Sequence, residues 1–297
     1  MCTSIQMKSS DGGLIFARTM DWHTYTPEII QLPKETTWTS VVNQARVQNK
    51  YNILSIGRKI PTIHPSISDG INEYGLSMQK LTFSNRSEYS ETLEADKLNL
   101  APFEFLLWAL GNCRSVKELK GQLGRICLIS TQAQRKAYGQ NDFRFVATDP
   151  TGEMIHIEPI SRRLEIIENR LGVVTNTPNF AREMSKLEDY MDFSEVPKGI
   201  NQLSTGDFSG KPVVPGSYTP RARFVRASIL KEHAIEPTNA KENLVETWHI
   251  LNSVTVPKSN GRSETYTIYR SGFDLKNLKL YFQPYDDLGV KIFDFTM

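Results

Sequence analysis

Met1-Cys2-Thr3-Ser4-Ile5, followed after one turn by Phe16-Ala17-Arg18-Thr19-Met20-Asp21-Trp22, decides how this chain is read. Removal of Met1 would make Cys2 the first residue and join its thiol, through two carbons, to a free α-amine. Such an amine has a pKa of roughly 7.7–8.0, so much of it is neutral near physiological pH and can accept a proton. A nucleophile activated by its own N-terminal amine is an established route to covalent catalysis. Taken alone, an early cysteine reads as readily as a small apolar strand residue.

The next residues change that balance. Asp11-Gly12-Gly13 marks a tight turn between two apolar runs, Thr3 to Met7 and Leu14 to Ala17. The hairpin folds the second strand back along the first and brings Arg18 and Asp21 towards Cys2. A guanidinium favours a thiolate, and a carboxylate can hold and orient an amine. The three residue types fit one chemistry.

Met1-Cys2-Thr3 and Arg18-x-x-Asp21-Trp22 resemble the choloylglycine hydrolase family, the bile salt hydrolases and penicillin V acylases with an N-terminal nucleophile. Further matches keep the family's order: Asp69-Gly70-Ile71-Asn72-Glu73-x-Gly75-Leu76 and Val174-Thr175-Asn176-x-Pro178. A looser one is Pro215-Gly216-Ser217-Tyr218-Thr219-Pro220 with Arg223-Phe224-x-Arg226. The resemblance implies a four-layer αββα sandwich of the N-terminal-nucleophile (Ntn) hydrolase type with Cys2 at a strand end. It also implies a homotetramer, with Asn179 to Pro215 as a candidate assembly loop.

Composition agrees with an ordinary globular protein. The chain has 297 residues, 39% hydrophobic and 23% charged, and 35 Lys+Arg against 33 Asp+Glu leave a formal charge of +2. No basic stripe suggests nucleic acid, and no run approaches the ~20 apolar residues of a membrane span. Cys2, Cys113 and Cys127 lack metal-ligand spacing, and the five histidines are scattered. The start lacks the basic and apolar regions of a signal peptide. A cytoplasmic protein without metal or cofactor is the expectation.

Strands are expected at Glu28 to Leu32, Thr37 to Val42, Tyr51 to Ile56, twice within Ile71 to Phe83 around Gly75, Phe143 to Thr148, Glu153 to Glu158, Arg163 to Glu168 and Leu171 to Asn176. Three more should close the chain, at Glu264 to Arg270, Leu278 to Gln283 and Val290 to Phe295. Helical spacing appears at Ala101 to Leu110, Arg223 to Ala234 and Asn239 to Val254, and Ser115-Val116-Lys117-Glu118 has capping-box form. Strands, then helices, then strands suit layered α+β architecture better than alternating βαβ units. One domain over 1–297 is expected.

Amide hydrolysis through a thioester needs a nucleophile, a proton shuttle and donors for the oxyanion. Cys2 offers the first two. Asn176, at a strand end before Thr177-Pro178, matches the family's oxyanion asparagine. The Thr82 N–H falls at the second oxyanion position, where bile salt hydrolases usually have asparagine and one penicillin acylase group has tyrosine. Arg223 matches the second active-site arginine, with Arg226 one helical turn away as the alternative. Met20 and Trp22, beside Asp21, and Ile60 and Ile63, in the Pro-rich loop from Arg58 to Pro65, are apolar candidates for holding the substrate.

The expected enzyme is an N-terminal cysteine amidase acting on linear amide C–N bonds. Thr82 tilts it towards penicillin V-type acyl amides, over conjugated bile salts that release glycine or taurine; acyl-homoserine lactones are a third substrate class. Two readings of other kinds compete: a papain-like thiol hydrolase with a separate histidine base, and a non-catalytic binding protein on the same fold.

Overall fold

The computed structural model describes residues 2–23, 25–139, 141–190, 214–259 and 265–295. The expected strand start at Glu264 and residues 191–213 of the candidate assembly loop lie outside them. In chain order the strands are β1 Cys2–Lys8, β2 Leu14–Trp22, β3 Glu28–Leu32, β4 Thr37–Thr39, β5 Arg46–Gln48, β6 Ile53–Arg58, β7 Ser66–Asn72, β8 Ser77–Thr82, β9 Leu98–Leu100, β10 Ile126–Leu128, β11 Phe143–Thr148, β12 Met154–Ile160, β13 Arg163–Glu168, β14 Val173–Val174, β15 Tyr266–Asp274, β16 Lys279–Pro284 and β17 Lys291–Asp294. The helices are α1 Phe105–Asn112, α2 Val116–Gln122, α3 Gln132–Tyr138, α4 Phe180–Leu187, α5 Pro220–His233 and α6 Ala240–Val254.

The residues fall into two compact units. The first holds Met1–Thr24, Leu171–Gly272 and Tyr281–Lys291; the second holds Tyr25–Arg170, Phe273–Leu280 and Ile292–Met297. A six-stranded sheet ordered β14-β1-β2-β15-β16-β17 carries most of the first unit. Helices α5 and α6 pack on β1 and β2, burying Ile5, Phe16, Phe224, Ile229 and Leu251.

The β1–β2 hairpin forms because its turn is chemically specified. Asp11 Oδ1 accepts from Ser9 Oγ at 2.7 Å and from the Gly13 N–H at 3.0 Å. Gly12 takes a φ of 80°, a region that favours glycine. The resulting register sets Cys2 opposite Met20, Thr3 opposite Thr19 and Ser4 opposite Arg18. Strand alternation then puts Cys2, Ser4, Arg18 and Met20 on one face and Thr3, Thr19 and Asp21 on the other. β14 flanks β1 with Ser4 opposite Val174, so continuing the register by two residues brings Asn176 beside Cys2.

In the second unit a seven-stranded sheet, ordered β13-β12-β11-β8-β7-β6-β3, buries Met78, Phe145, Ala147, Ile155 and Ile157 in one cluster with Phe105, Leu106 and Leu110 of α1. Several boundaries differ from the sequence reading for physical reasons. α1 begins at Phe105, not Ala101, because residues 102–104 form a turn whose Glu104 carboxylate accepts from the Ala101 N–H at 2.7 Å and the Val41 N–H at 2.8 Å. β4 stops at Thr39, since Ser40 starts a turn closed by Gln44 N–H to Ser40 O at 3.0 Å. The strand expected from Leu171 shortens to Val173–Val174. β7 starts at Ser66, ahead of the expected Ile71. α4 was not anticipated; Asn179 caps it by accepting from the Arg182 N–H at 3.2 Å.

Candidate active site

The two faces of the hairpin bring different groups to Cys2, which is 2% exposed. On the thiol's own face, Arg18 sits diagonally across the strand pair. Its Nη2 donates to Cys2 Sγ at 2.6 Å and to Met20 Sδ at 3.5 Å. Met20 Sδ lies 3.9 Å from Cys2 Sγ, so its thioether touches the thiol directly. Arg18 is fully buried. A cation held against sulfur in a water-poor site opposes little while the thiol is neutral, and attracts strongly once negative charge develops there.

On the other face Arg223 gathers the backbone. α5 starts with Thr219 as its cap and Pro220 at its first position, and this sets Arg223 in the opening turn. Arg223 Nη1 donates to Cys2 O at 2.6 Å and to Thr3 Oγ1 at 2.5 Å. The same nitrogen lies 3.4 Å from Asp21 Oδ2, with both side chains fully buried. Its Nε donates to Tyr218 O at 3.0 Å. Arg226, the alternative one turn on, instead donates to Ser253 O at 2.8 Å and to the carbonyls of Pro215 and Ser217. Burial lowers the pKa of Arg226. Of Arg223 and Arg226, Arg223 is the one that reaches Cys2.

Asn176 completes the cluster. Its Oδ1 accepts from the Cys2 backbone N–H at 2.5 Å and from Arg223 Nη2 at 3.1 Å. Two donors on one atom identify it as the oxygen and turn the Nδ2 donors to the other side of the amide. The site thus unites Cys2, Arg18, Asp21, Asn176 and Arg223, with Met20 against the sulfur. Trp22 is 40% exposed at the end of β2. Thr82, Ile60 and Ile63 belong to the second unit. There Thr82 closes β8 opposite Phe143, half-buried. Ile63 lines a cavity of about 460 Å³ with Trp38, His64, Leu107 and Tyr138.

Thr3 stood in the Met1-Cys2-Thr3 match without a role of its own; Thr267, which donates to Asp21 at 2.6 Å from 246 positions away, had no sequence signal. Among the described residues, no group of three or more His, Cys, Asp or Glu side chains could hold a metal ion. No helix among them is long and apolar enough to cross a membrane.

The profile of the linear amide C–N hydrolases, choloylglycine hydrolase family, matches residues 2–297. The chain belongs to this family. Like its other members, it is a hydrolase of carbon–nitrogen bonds, other than peptide bonds, in linear amides. Among its relatives is the bile salt hydrolase/transferase of Clostridium perfringens, 28% identical over 305 residues that cover 99% of this chain and 92% of the relative. The bile salt hydrolase/transferase of Lactiplantibacillus plantarum is also 28% identical, over 97% of this chain and 90% of its own length. A crystal structure of a variant of the conjugated bile acid hydrolase from Clostridium perfringens superposes with a TM-score of 0.84 at 27% identity, covering 99% of this chain and 92% of that one. Penicillin V acylase from Agrobacterium tumefaciens gives 0.77 at 20% identity, covering 99% and 86%, a likeness of fold. The expected α+β fold of Ntn-hydrolase type is the fold of this family.

Proposed function

We propose that the protein is an N-terminal cysteine amidase that forms a thioester acyl-enzyme. The observation that carries the reading is Arg18 Nη2 at 2.6 Å from the sulfur of Cys2, while Asn176 holds the nitrogen of the same residue. Loss of Met1 turns that nitrogen into an amine. The amine takes the thiol proton as Sγ attacks the substrate's acyl carbon. Asn176 Nδ2 donates to the oxyanion, and the Thr82 N–H is kept as the second donor on family resemblance alone. The amine returns the proton to the leaving nitrogen, the C–N bond breaks and the thioester remains. Water then attacks the thioester, passing its proton through the amine to sulfur as the acid leaves.

For the substrate, the named relatives favour conjugated bile salts, whereas Thr82 favours penicillin V-type acyl amides. The relatives put glyco- and taurocholate first. Met20, Trp22, Ile60 and Ile63 remain the proposed apolar contacts for the acyl group. A cytoplasmic homotetramer belongs to the same proposal and is checked by sedimentation.

The deciding experiment measures amine release from glycocholate, taurocholate and penicillin V side by side, with Cys2→Ala as control and the N-terminus read by intact mass. Turnover by protein lacking Met1, and a loss on the order of a thousandfold or more in Cys2→Ala, are expected. Full activity with Met1 retained would point to a separate base of the papain kind. No turnover on any acyl amide would favour a binding protein.

A further inference from the structure

We infer that Thr267 is a positioning residue of this site, fixing the Asp21 carboxylate that in turn fixes Arg223 on the nucleophile. The inference rests on the amidase reading above. Thr267 lies on β15, next to β2 in the sheet, and is 2% exposed. Its hydroxyl has one proton to give and lone pairs to accept with. The Val256 N–H donates to Oγ1 at 2.8 Å, and the Thr267 N–H donates back to Val256 O at 2.9 Å. With a backbone donor already on its oxygen, the hydroxyl directs its proton at Asp21 Oδ1, 2.6 Å away. The hydroxyl rotor is therefore set by main chain, not by a mobile side chain.

The consequence passes along a short path of buried groups. Thr267 holds Oδ1 of Asp21, and Oδ2 of that carboxylate faces Arg223 Nη1 at 3.4 Å. Arg223 donates to Cys2 O and to Asn176 Oδ1. Without the Thr267 hydroxyl the carboxylate plane can turn about its Cβ–Cγ bond. Arg223, still tied to Tyr218 O and Thr3 Oγ1, then loses one of the groups that orient it, and its hold on the Cys2 backbone and Asn176 shifts with it. Thr267 reaches the Cys2 backbone through two intervening side chains, Asp21 and Arg223. Its removal should therefore disturb alignment at the chemical step more than substrate affinity.

The test compares Thr267→Val, which keeps the shape and drops the hydroxyl, with Thr267→Ser, which keeps the hydroxyl. Both are assayed with the substrate the parent enzyme turns over, at a temperature where circular dichroism shows full folding. Thr267→Val should lower kcat on the order of 10- to 100-fold, with KM changed by less than about twofold, as expected for losing a hydrogen bond to a buried charge. Thr267→Ser should keep kcat within about threefold of the parent. A merely structural threonine would lower the melting temperature of Thr267→Val and leave kcat intact. Unchanged kcat in Thr267→Val overturns the inference, as does an equal loss in Thr267→Ser or a loss carried by KM. A parent enzyme with no turnover overturns the amidase reading itself, which is a different result.

Discussion

Arg18 and Arg144 are both wholly withdrawn from water, yet they work on different partners. Arg144, on the seven-stranded sheet, lies 2.5 Å through Nη2 from Glu158 Oε1 and 4.3 Å over the ring of Phe83. Asn169 and His156 extend that cluster, 2.8 Å apart. Arg18, on the six-stranded sheet, aims its Nη2 at a thiol. An arginine donating to a carboxylate meets a charge that is already present, so the pair fixes the scaffold. An arginine donating to sulfur makes a contact that strengthens as negative charge develops on the sulfur, which suits a reacting centre. Burial of a cation does not by itself mark function; the atom it faces does.

The largest expected effect breaks the scaffold member. Arg144→Met leaves Glu158 buried without this partner, which costs about 3–5 kcal/mol of stability. Urea unfolding measures this, and kcat of the folded fraction should stay near that of the parent. A fall in kcat with unchanged stability would erase the distinction between the two arginines. Arg18→Met is the mirror experiment. It should lower kcat/KM by about 100- to 1,000-fold, the usual cost of removing one preorganised donor to developing charge. If its main effect is instead unfolding, the Arg18–sulfur contact is scaffold as well.

The same contrast explains what the sequence could announce. The β1–β2 hairpin was legible because Asp11-Gly12-Gly13 specifies the turn locally, and the register then carries Arg18 and Asp21 to Cys2. Asn176 and Arg223 could be assigned only through resemblance, since a turn asparagine and a helix arginine have no local mark. Arg223 and Arg226 are both internal to α5 and differ only in what lies opposite each. Thr267 was illegible: its partner is 246 residues away, and pairs that distant leave no spacing in the chain. The cluster around Arg144 was equally silent, because Arg144, His156 and Glu158 alternate with apolar residues as ordinary strands do. α4 escaped because helical periodicity is hard to see in a short polar stretch, although Asn179 carried a capping signal.

The smallest expected effect sharpens the scaffold side of the comparison with pH. Burial is the chief cause that pushes the His156 pKa down to about 4; the nearby Arg144 charge also lowers it, and Glu158 opposes. The ring is neutral in the folded protein over a range in which an unfolded chain's histidine, with a pKa near 6.5, takes up a proton. Between those two values the unfolded state binds more protons, so stability falls as pH falls. This contribution is intact above about pH 6.5 and is lost progressively towards pH 4. It amounts to about 3 kcal/mol across the window between pH 6.5 and about 4, at roughly 1.36 kcal/mol per pH unit. Carboxylates titrate over the same range, so the measurement is a difference, comparing urea midpoints of the parent and His156→Gln at several pH values. Glutamine keeps an acceptor within reach of Asn169 and has nothing to protonate. The variant should lose stability more gently than the parent between pH 6.5 and 4, and parallel curves would mean that His156 accepts a proton inside the folded sheet. The Cys2 site, in the other unit, should keep its kcat in the variant at neutral pH, where His156 is already uncharged.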